Sequence, residues 1–183
     1  LTYLKIGNVC ERVCQNLPTG LKTLISERAL MTPNLIKHLP KSLTFLHLAI
    51  PVANSYWFDC NTGERVEPIS KLADYSIHEK CLSNNFDWKN SSPLPSTLTY
   101  LHLPNANELG DSFLAYQQFP NLVELNFGNA QHFSDISFPL LPPYLTVLKI
   151  PFSRQISGKS FKYLPRCLTH LDLNSSESIF DHD

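Results

Sequence analysis

The sequence predicts an α/β fold built as a solenoid, with a parallel sheet of about eight short strands on one side and an irregular or short-helix layer on the other. Three observations carry that expectation. Apolar triplets spaced LxxLxL recur along the 183 residues. An LP step precedes most of them, as in "LPKSLTFLHL" from Leu39, "LPSTLTYLHL" from Leu94, "LPPYLTVLKI" from Leu141 and "LPRCLTHLDL" from Leu164. Further apolar residues keep the same phase, with Leu109, Phe133, Ile156 and Ile179 twelfth in their units and Leu114, Phe138 and Phe161 seventeenth. A fixed period of this length marks a repeat whose units bury their apolar face only by stacking on one another.

Taken in order, the first strand is expected on Leu1, Leu4 and Ile6, and a weaker copy begins at Leu21 with Leu24 and with Ser26 where an apolar residue belongs. Leu43, Leu46 and Leu48 make the third unit. Leu72, Tyr75 and Ile77 make a second weak copy. The last four triplets, Leu98/Leu101/Leu103, Leu122/Leu125/Phe127, Leu145/Leu148/Ile150 and Leu168/Leu171/Leu173, begin 24, 23 and 23 residues apart. In each unit the proline fixes φ and removes an amide donor, which suits a turn into a strand. The alternating LxL that follows reads as a short strand with its leucines facing inward.

Two stretches exceed the period. Residues 49–71 are expected to loop out as a hairpin-like insertion, with Tyr56-Trp57-Phe58 and Arg65-Val66-Glu67 flanking Asn61-Thr62-Gly63, where glycine supplies positive φ. Residues 79–95 form a second surplus loop that is polar and turn-rich, with Phe86 and Trp88 as possible plugs. Both tryptophans fall in these stretches. They either pack over the leucines or, with Tyr56 and Phe58, anchor a partner.

On these residues the chain resembles the leucine-rich repeat superfamily over nearly its whole length. The LP step and the "SLT" or "TLT" run are similar to the LP-containing repeats of bacterial effectors and to the LPxSLTxL repeats, FNIP repeats included, of amoebae and their giant viruses. The FNxP signature is absent. No asparagine follows the strands at the ninth position, which reads Val9, Pro51, Ala106, Ala130, Ser153 and Ser176, so the backbone of that turn must be satisfied in another way. The resemblance implies a horseshoe whose concave sheet binds a protein. It also implies that the chain, which opens inside one unit, is a slice of a longer protein. An effector-like parent would make these repeats the substrate-recognition segment of a larger enzyme or ubiquitin-ligase-type effector. A passive spacer within a longer array is the remaining alternative.

If the leucines point inward, the third, fifth and seventh residues of each unit face the other way. The candidate binding face is therefore Tyr3, Lys5, Phe45, His47, Tyr100, His102, Glu124, Asn126, Lys149, His170 and Asp172, with Ile25 and Val147 in the same columns and Asp74, Ser76 and His78 supplied by the fourth unit. Aromatic and apolar side chains on an exposed sheet mark an interaction surface. With a strand at Leu72 between them, His47 and His102 stand two strands apart, about 9.6 Å at about 4.8 Å per strand, too far to share a metal.

Composition narrows the remaining classes. Fifteen Lys plus Arg against 16 Asp plus Glu, without a run of like charge, leaves no electrostatic footprint for nucleic acid or an anionic membrane. No apolar run reaches the roughly 20 residues of a bilayer span. Five scattered cysteines, Cys10, Cys14, Cys60, Cys81 and Cys167, suit a reducing compartment such as the cytoplasm, with secretion kept for an effector. Cys10 and Cys14 lack a second Cys or His pair at zinc-finger spacing. GxSxG, HExxH and GxxxxGK(S/T) are absent. The expectation is a protein-binding module, not an enzyme, with no cofactor and no metal.

Overall fold

The structure, a computed structural model of the chain, describes residues 1–29, 32–49, 57–58, 65–66, 88–106 and 109–174. Its elements in chain order are β1 (Tyr3–Ile6), α1 (Glu11–Gln15), β2 (Thr23–Ser26), α2 (Pro33–Lys37), β3 (Phe45–Leu48), β4 (Trp57–Phe58), β5 (Arg65–Val66), β6 (Tyr100–Leu103), α3 (Asp111–Tyr116), β7 (Glu124–Phe127), β8 (Val147–Lys149) and β9 (His170–Asp172). Short 3-10 turns at Asp135–Leu140 and Phe161–Tyr163 take the place of helices after β7 and β8. Among the described residues seven strands form one all-parallel sheet in the order β1-β2-β3-β6-β7-β8-β9. No described helix is long and apolar enough to cross a membrane.

The ladder explains the letters of the repeated motif. The carbonyl of each unit's second residue accepts two amides from the next unit. Thr44 O receives Thr99 N at 2.8 Å and Tyr100 N at 3.0 Å, and Thr2, Lys22, Thr99, Val123 and Thr146 serve their successors in the same way. Where the second residue is threonine, its hydroxyl adds a further donor. Thr44 Oγ1 reaches Lys22 O at 3.2 Å, Thr99 Oγ1 reaches Thr44 O at 3.0 Å and Thr169 Oγ1 reaches Thr146 O at 3.1 Å. The proline carbonyl closes a turn onto the leucine three residues on, as in Leu43 N to Pro40 O at 3.2 Å and Leu98 N to Pro95 O at 3.1 Å. The residue before that leucine also bonds backward, with Ser42 Oγ donating to Leu21 O and Thr97 Oγ1 to Leu43 O, each at 2.6 Å.

The eighth strand expected at Leu72, Tyr75 and Ile77 lies outside the described residues. β3 pairs directly with β6, Phe45 opposite Tyr100, Leu46 opposite Leu101 and His47 opposite His102, which overturns the expected placement of a strand between them. In sequence the weak copy differs from most units, with Pro68-Ile69 in place of the LP step and Ala73 in place of the threonine. Of the hairpin-like insertion, Trp57 pairs with Val66 and Phe58 with Arg65, antiparallel as expected. Tyr56 and the candidate face residues Asp74, Ser76 and His78 lie outside the described residues.

The turns after the strands carry no asparagine at the ninth position and bond unit to unit through the backbone. Val9 N donates to Arg28 O at 3.0 Å, Ala29 N to Ala49 O at 3.1 Å, Ala106 N to Gly128 O at 2.7 Å and Ala130 N to Pro151 O at 3.1 Å. Small residues there let the turns approach closely. A Cβ placed on Gly128 would lie 1.9 Å from the Pro104 carbonyl oxygen, which restricts that position to glycine. Ser153 satisfies its buried hydroxyl within the same layer, donating to Ala130 O at 3.0 Å and Ile150 O at 2.7 Å. Ser26, in an inward position of a weak unit, donates to Arg28 O at 2.7 Å and so is buried without an orphaned hydroxyl.

Between the sheet and the helical turns the inward leucines Leu24, Leu46, Leu101 and Leu125 are fully buried. The strands at the two ends have a neighbour on one side only, and their Leu4, Ile6, Leu171 and Leu173 are partly exposed. Behind the sheet runs an aromatic chain, Trp88 on Phe113 with centroids 4.7 Å apart, Phe113 on Phe127 at 5.3 Å and Phe127 on Phe133 at 4.8 Å. Trp88 is 4% exposed, so it plugs the core and is not a partner anchor. On the far side the Asp111 carboxylate accepts from Ser134 N, Ser134 Oγ and Ser137 Oγ, and Asp135 accepts from Ser157 N and Oγ, tying successive helical turns together.

Three substitutions test this packing. Leu101→Ala is expected to lower stability by about 2–5 kcal/mol through the cavity it leaves, whereas Lys5→Ala removes one exposed ion pair and costs at most about 1 kcal/mol. Urea unfolding compares them, and equal losses would mean that the buried and exposed faces have been interchanged. Gly128→Ala should cost about 1–3 kcal/mol or more by overpacking against Pro104, and an unchanged urea midpoint would show that the two turns are not in contact.

Candidate functional site

Period-two alternation turns the third and fifth residues of each unit onto one face of the sheet, and the parallel register stacks them in two columns. The third-position column runs Tyr3, Thr23, Phe45, Tyr100, Glu124, Val147, His170, and the fifth runs Lys5, Ile25, His47, His102, Asn126, Lys149, Asp172. Tyr3, Lys5, Tyr100 and His170 are exposed. Phe45, His47, His102, Glu124, Asn126, Lys149 and Asp172 are only half-exposed, because neighbours about 4.8 Å away cover their flanks. The apolar surface is also less continuous than the columns suggest, since Glu124 separates Val147 from Tyr100.

The centre of the face is a cluster of rings. Phe45 lies 5.7 Å from Tyr100 and 5.3 Å edge-on from His102, and His102 lies 6.1 Å edge-on from His47. Direct pairing of β3 with β6 creates this cluster and overturns the expected two-strand separation of the histidines. On one side of it Lys5 Nζ meets Glu27 Oε1 at 3.2 Å. On the other Glu124 Oε1 lies 3.5 Å from Lys149 Nζ and 3.0 Å from His102 Nε2. The last approach is close but is not aligned as a hydrogen bond, so the buried Nε2 has no such partner.

Burial holds the His47 imidazole below the ordinary histidine value, His102 and then Lys5 push it the same way, and Glu27 opposes them. Glu27 was not among the expected face residues, although the same alternation puts the seventh residue of a unit on this face. At the first helical turn, burial and the neighbouring Cys10 push the Cys14 thiol up to about 12, which disfavours the thiolate that metal binding requires. Among the described residues no three His, Cys, Asp or Glu side chains converge.

No family model, no curated protein and no solved structure matches the chain.

The lowered His47 value has a stability consequence whose sign is fixed. Below the ordinary value of 6.5 the unfolded chain binds a proton that the folded chain refuses, so stability is present above that pH and is lost as the pH falls through the folded value. Between about pH 7.5 and about pH 5.5 the urea midpoint of the protein should fall more than that of His47→Gln. Equal falls in the two proteins would place His47 in an ordinary solvated setting.

Proposed function

We propose that the chain is a leucine-rich-repeat solenoid that binds a protein partner through the exposed face of its parallel sheet, as a recognition module and not an enzyme. The observation that supports this reading most is the cluster of Phe45, Tyr100, His47 and His102 on that face. Aromatic side chains held by their neighbours lose little further freedom on binding, and tyrosine is enriched where interfaces concentrate their energy. The ion pairs on either side, Lys5 with Glu27 and Glu124 with Lys149, supply the polar rim such an interface uses. The inter-unit bonding through an LP turn and a threonine hydroxyl supports the solenoid part of the proposal, since each unit satisfies its neighbour's backbone and could be repeated indefinitely.

The test is a quantitative capture experiment comparing the protein with a folded Phe45→Ala, Tyr100→Ala, His102→Ala variant and with a Tyr116→Ala, Tyr163→Ala variant. Tyr116 and Tyr163 are 49% and 50% exposed at the ends of helical turns on the opposite side. Partners lost with the first variant and kept with the second identify the sheet face. Identical profiles for all three proteins would overturn the proposal and favour a spacer.

A further inference from the structure

Six charged or titratable side chains form one row across the exposed face: Lys5, Glu27, His47, His102, Glu124 and Lys149. An ion pair stands at each end, at 3.2 Å between Lys5 and Glu27 and at 3.5 Å between Lys149 and Glu124. The two imidazoles fill the middle, in edge contact with centroids 6.1 Å apart. We propose that His47 and His102 act as one protonation unit, taking up a single proton between them as the pH falls, so that the face changes by one charge and holds or releases its partner with that proton.

The geometry explains why the unit would take one proton and not two. Rings in edge contact on adjacent strands repel each other when both are charged, and the half-buried setting screens that repulsion less than open water. Such a pair titrates as a unit. One carboxylate lies beside the pair, Glu124 Oε1 at 3.0 Å from His102 Nε2, and no second one is free for His47, because Glu27 is engaged by Lys5 at 3.2 Å. Among the described residues the other side chains in the strands beside the pair are uncharged, Ile25 from β2, Phe45 from β3, Tyr100 from β6 and Asn126 from β7. The cluster thus contains one carboxylate contact for the pair, at His102, and two cations at its ends. His47 has a depressed affinity for protons, with His102 the largest electrostatic cause after burial, in keeping with this arrangement.

Only the consequence for a partner rests on the docking reading. The protonation unit is tested on the protein alone by following the histidine ring carbon and proton resonances as pH is varied, in the protein, in His102→Gln and in Lys5→Gln. His47 is expected to titrate over a broadened range in the protein. In His102→Gln its midpoint should move up and its curve sharpen to a single-site form, whereas Lys5→Gln should move it less. An unmoved His47 midpoint in His102→Gln would overturn the proposal, as would a larger effect of Lys5→Gln, which would assign the coupling to the general field of the face. A failed capture experiment would leave the protonation unit standing, and a failed titration would leave the docking reading untouched.

Discussion

One carbonyl per unit organises this structure. The second residue of each unit accepts two backbone amides from the next, and often a threonine hydroxyl as well, and that junction sets the register of every strand pair. Because side chains in a strand alternate with period two, a slip of one residue would send the leucines outward and the exposed-face residues into the core. The junction therefore decides together which leucines are buried and which rings meet. The proline before it contributes by closing a turn with its carbonyl, where the missing amide costs nothing.

The same economy appears in the turns that follow the strands. With no asparagine at the ninth position, the backbone bonds straight across from unit to unit, which requires close approach and therefore small residues such as Ala29, Ala106, Gly128 and Ala130. Behind the sheet the demand is the reverse, for bulk. Trp88, Phe113, Phe127 and Phe133 fill space where helices are short or replaced by 3-10 turns. Parallel strands buried on one face need this second layer, since the sheet alone leaves its leucines in water.

On the opposite face, packing and electrostatics are coupled. Neighbouring strands bring the rings of Phe45, Tyr100 and the two histidines into contact, and that contact removes water from His47 and sets its charge preference. Ion pairs stand at the ends of the row, and Glu124 also lies 3.0 Å from His102 Nε2, so the rings at the centre are flanked by charge on both sides. A surface of this kind suits the proposed role in partner recognition, because its affinity and its pH response would arise from the same few side chains.

The sequence by itself determined the unit. The LxxLxL spacing, the LP turn and the alternation of faces are local properties, written within about ten residues, and they placed the strands, the buried leucines and the two exposed columns. The antiparallel pairing of Trp57–Phe58 with Arg65–Val66 was legible for the same reason, since Asn61-Thr62-Gly63 lies between them in the sequence. What tertiary structure alone decided was which units are neighbours. A triplet at Leu72 satisfies the apolar pattern, yet β3 pairs directly with β6, which brings residues 55 positions apart, His47 and His102, onto adjacent strands. Glu27 belongs to the same site because the chain returns beside Lys5. Contacts between units depend on the order of stacking, and that order is a property of the whole sheet.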